Sequence, residues 1–200
     1  MSPQERAALR RSLRQLRCQL GPRHQGDAAA RLFHRIAGRR FFRSAKRIAF
    51  YLPSDGEIDP SLLLAAALGR GQQCYLPVLH PQGKSSLLFV RYRAGDKLRA
   101  NRWGIYEPVL HSARQISART LDLVFVPLVG FDSDGNRLGM GKGFYDRSFS
   151  FLADAGRQTP KLVGLAHECQ RVEDLRPQAW DIRMAAIISD QHTYQRRSIL

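Results

Sequence analysis

Between Leu121 and Val129 the chain reads LDLVFVPLV, broken only by Asp122 and Pro127. A strand that is apolar on both of its alternating faces needs cover from above and below, as a central strand of a parallel sheet receives from helices. The flanking segments supply the rest of such a fold. Arg47 to Leu52 (RIAFYL), Cys74 to Leu79, Leu87 to Tyr92, Lys161 to Ala166 and Ala185 to Ser189 read as further strands. Leu9, Leu13, Leu16 and Leu20 recur at helical spacing and predict an amphipathic first helix, ended by Gly21-Pro22. Arg6, Arg10 and Arg17 form a second stripe, roughly 90° around from the leucines, that borders the buried face. Asp27 predicts the cap of a second helix through Arg39, with Leu32, Phe33 and Ile36 inward. Asp59 to Leu68 predicts a helix closed by Gly69, and a further helix follows Tyr145. Strands alternating with helices imply an α/β protein with a largely parallel sheet, and residues 1–200 read as a single domain.

A chain of 200 residues with 44% hydrophobic content buries enough apolar surface to fold without disulfides or a structural metal. The longest apolar run, Leu62 to Leu68, is about two helical turns, so no membrane span is expected. The segment Met1 to Arg17 is polar and basic and does not read as a signal peptide. Cys18, Cys74 and Cys169 are odd in number and widely spaced, which suggests neither a disulfide framework nor a zinc site. Each reads as a small buried hydrophobe, and a reducing, cytoplasmic setting is the default. The net charge of +15 invites a nucleic-acid reading. Its 32 basic residues are scattered, however, and no aromatic-basic repeat accompanies them, so small anions are the expected partners and nucleic acid is not.

The segment richest in chemistry is Gly130 to Arg147, GFDSDGNRLGMGKGFYDR. It follows the most apolar strand and precedes a helical pattern, the place where α/β proteins bind ligands. Gly139, Gly141 and Gly143 let backbone amides approach an anion, and Lys142 adds a cation among them. The segment is not a Walker loop, which needs Gly where Asn136 stands and Ser or Thr at Gly143. It is not a dinucleotide fingerprint, whose third glycine is replaced by Phe144, nor an EF-hand, whose bidentate glutamate position holds Gly143. A plain glycine-rich turn with a bend at Asp134-Gly135 is the competing reading. Two other segments stand out. YLPSDGEIDP (Tyr51 to Pro60) sets Asp55, Glu57 and Asp59 at a strand end, as ligand contacts or as a solvated turn. In NRWGIYEP, Trp103 and Tyr106 suit either stacking on a flat ring or anchoring a loop. The six histidines show no metal-ligand spacing.

In this order and register, RLGMGKGFYD, PLVGFDSDGNR, DGEID and NRWGIYEP resemble the 5-formyltetrahydrofolate cyclo-ligase family, over about Arg6 to Asp190. The resemblance implies a three-layer α/β/α sandwich and ATP-driven conversion of 5-formyltetrahydrofolate to 5,10-methenyltetrahydrofolate with magnesium. It implies ATP contacts at Arg6, Arg10, Arg137, Leu138, Gly139, Met140, Gly141, Lys142, Gly143, Phe144 and Tyr145, with Lys142 and Arg137 catalytic. Folate contacts are implied at Leu52, Glu57, Trp103 and the Met140 to Phe144 stretch, and magnesium at Asp146 and Asp181. Arg6 stands where lysine is frequent and Phe144 where tyrosine is common, so no hydroxyl is available at that position. A monomer acting on small molecules is expected. A nucleic-acid-binding module and a small-molecule kinase with a stable phosphorylated product are the rival readings.

Overall fold

The computed structural model describes residues 1–153 and 159–195. The chain opens with α1 (Pro3–Cys18), α2 (Pro22–Ile36), the short α3 (Arg40–Ser44), β1 (Arg47–Ala49) and α4 (Ser61–Gly69). It continues through β2 (Gln73–Leu79), β3 (Leu87–Tyr92), β4 (Leu98–Ala100), β5 (Tyr106–Pro108), β6 (Gln115–Ile116) and β7 (Leu123–Pro127). The last part holds β8 (Gly130–Phe131), β9 (Arg137–Leu138), α5 (Phe144–Ser148), β10 (Lys161–Ala166), β11 (Ala186–Ser189) and β12 (Thr193–Gln195).

Eight strands form one sheet in the order β12-β11-β10-β7-β1-β2-β3-β6. The middle five are parallel; β12, β3 and β6 join antiparallel at the margins. Alternation along each inner strand divides the core into two layers. Ile48, Leu123, Phe125, Val163, Leu165 and Ile188 face α2, α3 and α4, where Leu32, Phe42 and Leu63 pack on them. Ala49, Val124, Val126, Leu162 and Ile187 face the other way, toward Phe149, Phe151 and Met184. The result is a three-layer α/β sandwich whose second outer layer is thin, built from α5, a single turn at Ser150–Ala153 and loops.

Helix α1 covers neither face. Its Leu13 packs with Val129, Leu138 and Leu175 over the carboxyl end of the sheet. A methyl group on Gly130 would stand 2.5 Å from Leu13 Cδ1, so glycine there lets the helix come close to the β8–β9 hairpin. Ser2 and Glu5 start the helix with a capping box, in which Glu5 N donates to Ser2 Oγ at 3.2 Å and Ser2 N to Glu5 Oε2 at 2.6 Å.

The details correct several expectations. Leu16 is exposed, and Arg17, expected at the border of the apolar stripe, is fully buried in its place. Asp27 lies inside α2, because Pro22, well suited to a first helical turn, starts the helix behind Gly21. β1 ends at Ala49, since the chain turns at Asp55 and Gly56, both with left-handed φ, of 51° and 72°. Of the cysteines, only Cys74 is buried; Cys18 and Cys169 are exposed. No helix among the described residues is long and apolar enough to cross a membrane.

Candidate active site

From β1 the chain passes to β2 on one side, whereas β7, β10 and β11 build outward on the other. The carboxyl ends of β1 and β7 therefore flank the topological switch point, where loops diverge and leave a crevice. A cavity of about 690 Å³ opens there. Its floor is largely apolar, with Tyr51, Leu52, Pro77 and Leu128 from the strand ends. One wall is the turn after β1, carrying Glu57. A second is the β4–β5 hairpin, carrying Asn101, Trp103 and Glu107. The third is the loop from β9 to α5, with Gly139, Met140, Lys142, Gly143 and Phe144. Trp103 and Phe144 meet edge to face across the mouth, with ring centroids 5.6 Å apart.

Local chemistry explains how the sequence shapes these walls. The β8–β9 hairpin closes on Asp132, whose Oδ1 accepts from Asp134 N and Asn136 N at 3.0 Å each. That aspartate-fastened turn, with Gly135 at φ 81°, aims the following glycine loop back at the sheet edge. Gly141 and Gly143 take left-handed φ values of 89° and 63°, which L side chains rarely adopt. Arg147 holds the loop from behind, donating to Lys142 O and, through Nε, to Ser85 O at 2.9 Å.

Arg6, Arg10 and Asp181 do not line the cavity. Arg6 and Arg10 stand on α1, Arg10 against the glycine loop and Arg6 against Asp181. Arg10 Nε donates to Gly139 O at 2.8 Å, and Arg6 Nη2 to Asp181 Oδ2 at 3.3 Å. Burial lowers the proton affinity of Arg10, and the like charge of Arg6 lowers it further. Two arginines one helical turn apart beside loop amides are the kind of donors an anion would need. Arg137 Nη2 donates to Asp146 Oδ1 at 2.5 Å, while its buried Nε has no hydrogen-bond partner.

The two aspartates suit a divalent cation shared with phosphate. Asp146 Oδ1 is taken by Arg137 and by Ile182 N at 3.2 Å, and Asp181 Oδ2 by Arg6 and by Gln178 N at 2.9 Å. Among the described residues the second oxygen of each accepts no hydrogen bond, which leaves one hard ligand per carboxylate. No group of three or more metal-ligating side chains occurs among the described residues. A cation here would need phosphate and water to complete its shell.

Glu57 has a different environment. Its Oε2 accepts from Ser54 N at 3.1 Å and Ser54 Oγ at 3.4 Å. Burial pushes its carboxyl up to about 7 against the pull of Arg17. Burial also raises the Tyr51 and Tyr145 hydroxyls, with the Glu57 charge adding to it. The sequence reading missed Arg17 and Tyr51, which carry no motif, and the Asn101 and Glu107 pair, whose side chains meet at 3.2 Å.

A crevice at the carboxyl ends of β1 and β7, walled by a glycine-rich loop and holding a buried carboxylate, has the form of a small-molecule site in an α/β enzyme. The profile of the 5-formyltetrahydrofolate cyclo-ligase family matches residues 2–190, and the chain belongs to that family. The 5-formyltetrahydrofolate cyclo-ligase of Haemophilus influenzae is 38% identical over 94% of this chain and 99% of its own length. That of Escherichia coli K12 is 36% identical over 92% and 99%. Among solved structures, Aquifex aeolicus 5,10-methenyltetrahydrofolate synthetase matches with a TM-score of 0.82 and 26% identity, covering 98% of this chain and 94% of that one.

Proposed function

We propose that this chain, acting as one domain, uses MgATP to close 5-formyltetrahydrofolate into 5,10-methenyltetrahydrofolate, releasing ADP and phosphate. The observation that carries this reading is the position of the Gly139–Gly143 loop. The loop walls the cavity that holds Glu57, and its Gly139 carbonyl accepts from Arg10, one helical turn from the Arg6 that pairs with Asp181. A folate in the cavity and a triphosphate along α1 would meet across that loop.

The formyl oxygen of an N-formyl group is a poor leaving group. Attack of this oxygen on the γ-phosphorus forms an O–P bond as the bond to ADP breaks, giving an iminium phosphate. N10 then attacks the formyl carbon and loses its proton, and the C–O bond breaks to release phosphate as the five-membered ring closes. Phosphoryl transfer of this kind needs chiefly alignment and charge neutralisation. Lys142 and the loop amides supply these at the migrating group, and Arg6 and Arg10 along the phosphate chain. Arg137 orients Asp146. Asp146 and Asp181 would hold magnesium, which supplies charge neutralisation between the phosphates. Glu57 accepts donors of the pterin edge, while Leu52, Trp103 and Phe144 cover the ring. No protein nucleophile takes part, and the setting is cytoplasmic.

The experiment is direct. Mixing the protein with MgATP and 5-formyltetrahydrofolate should produce the near-ultraviolet absorbance of the methenyl product, with one ADP per turnover. A stable phosphorylated folate without that absorbance would replace this reading by a kinase.

A further inference from the structure

We propose that Arg17 is a positioning residue for this reaction: from its buried place on α1 it fixes the turn after β1 and sets its own charge beside the Glu57 carboxylate. The inference rests on the folate reading of the cavity. Arg17 does not line that cavity. Its side chain has no solvent exposure, and its donors are all directed at the switch point. Nε donates to Asp55 O at 2.7 Å, Nη2 to Asp55 Oδ2 at 2.9 Å, and Nη1 to Leu128 O at 3.0 Å. One rigid fork thereby joins the turn after β1 to the end of β7, the two strand ends between which the cavity opens. Nη2 also stands 3.8 Å from Glu57 Oε1, the oxygen that Ser54 leaves free.

Backbone contact reinforces the link. A methyl group on Gly56 would lie 3.0 Å from Arg17 O, and Gln25 Nε2 donates to both Arg17 O and Gly56 O at 3.3 Å. The helix that carries Arg6 and Arg10 is therefore docked to the turn that carries Glu57. A buried guanidinium persists only when its charge is answered, and an aliphatic residue would have satisfied the apolar stripe. The arginine is better explained by what it does to the carboxylate.

The groups facing Glu57 are Arg17 and Arg14 from α1, Asp55 and Asp59 from its own turn, Tyr51 from the end of β1 and Tyr145 from α5. Arg14 is spent on Asp55, with bonds of 2.7 and 3.1 Å. Asp55 and burial oppose ionisation of Glu57, and Arg17 favours it. A charged carboxylate accepts two N–H donors from an aminopyrimidinone edge with charge-assisted bonds about twice as strong as neutral ones. Folate affinity should therefore follow the ionisation of Glu57, and Arg17 sets where that occurs.

The test is the pH profile of kcat/KM for each substrate in wild type, Arg17→Met and Arg17→Lys. Wild type should lose kcat/KM for 5-formyltetrahydrofolate as pH falls below about 7. An opposite charge at this range lowers a carboxyl by about 1–3 units, so Arg17→Met should move that acid limb upward and raise the folate KM about tenfold at pH 7. Arg17→Lys should keep the limb near its wild-type position, and the ATP KM should stay within about twofold in both, the arginine lying outside the phosphate contacts. If Arg17→Met does not fold, Arg17→Lys in wild-type and Glu57→Gln backgrounds decides: the lysine keeps the charge but loses the fork that fixes the turn, so with the limb unmoved it should still raise the folate KM a fewfold, and only where Glu57 is present. An unmoved acid limb in Arg17→Met, equal effects on both substrates, or equal effects in both backgrounds would overturn the proposal. Failure of wild type to cyclise the folate at all would instead refute the function and be seen first.

Discussion

Arg6 Nη2 lies 3.3 Å from Asp181 Oδ2, an ion pair that joins the first helix to the loop before the last parallel strand across 175 positions of sequence. Both partners are assigned to the same ATP complex, Arg6 to phosphate and Asp181 to magnesium. Paired to each other, they are compensated while the nucleotide is absent, and Arg137 and Asp146 repeat the arrangement at 2.5 Å. MgATP would exchange each protein pair for a cation–phosphate and a carboxylate–metal contact. Charge is conserved in that exchange, so the site avoids leaving partly buried charges unanswered in either state.

Metal dependence should expose this exchange. Asp146→Asn and Asp181→Asn each remove one of two carboxylates, and a contact worth ~1.4 kcal/mol corresponds to about tenfold in the magnesium needed for half-maximal rate. Titrating activity with magnesium at fixed ATP measures it. A variant with an unshifted curve would remove its aspartate from the metal site. Asp146→Asn should also free Arg137, so its melting temperature in the absence of nucleotide should fall as well.

Arg10 should separate the substrates. Its Nε bond to Gly139 O ties α1 to the loop at 2.8 Å, and Arg10 is not among the residues that line the cavity. Arg10→Gln keeps a donor of similar reach and removes the charge. The ATP KM should rise on the order of tenfold, as expected for loss of a charged hydrogen bond worth ~1.5 kcal/mol, while the folate KM changes little. Initial rates with each substrate varied in turn give both values, and a larger effect on folate would contradict the assignment.

How much of this was legible in the sequence follows from what kind of signal each part sends. LDLVFVPLV becomes β7 at the centre of the sheet, because burial on both faces is written into composition. Strand direction is not written there, so β3 reads like any strand although it runs antiparallel to β2. The glycine loop is visible as spacing, and the left-handed Gly141 and Gly143 explain why the spacing is needed. Arg17 was legible only as a stripe: nothing in α1 says that it turns inward while Leu16, one position before it, turns out. That choice is made by the carbonyls of Asp55 and Leu128, which are distant in sequence. The Arg6–Asp181 pair was likewise beyond reach from spacing alone.

His167, at the end of β10, carries a prediction about stability and pH. The residue is 1% exposed, so protonating its ring would bury a charge. Burial lowers its pKa to about 4, although Asp190 pulls the other way. In the unfolded chain the ring binds a proton near its ordinary value of about 6.5. Between these values the unfolded state holds the extra proton, so stability falls as pH drops from about 6.5 toward 4, and is unaffected above that window. At pH 5 the loss is on the order of 2 kcal/mol. Because the raised Glu57 carboxyl acts in the opposite sense over the same range, the readout is the difference between variant and wild type: by urea unfolding, His167→Leu should gain on wild type by that amount between pH 7 and pH 5. Equal pH dependence in the variant and wild type would place the titration elsewhere.

Lys142 gives the sharpest prediction about rate. It lies between Gly141 and Gly143 on the cavity wall, exposed, in a loop whose glycine amides can hold flanking phosphates. On the proposed mechanism its ammonium would reach the region where charge is redistributed as the γ-phosphoryl group moves. A contact made mainly in the transition state appears in kcat more than in KM. Losing such a donor costs about 3 kcal/mol, roughly a hundredfold in rate. Lys142→Met keeps the length and removes the charge, so kcat should fall by that order while nucleotide binding stays measurable. Lys142→Arg should recover only part, because a planar fork does not replace a compact ammonium between two left-handed glycines. Single-turnover rates with the melting temperature as a control make the comparison. A near-normal kcat in a folded Lys142→Met protein would leave the loop acting through its backbone amides and the metal, with the lysine a bystander.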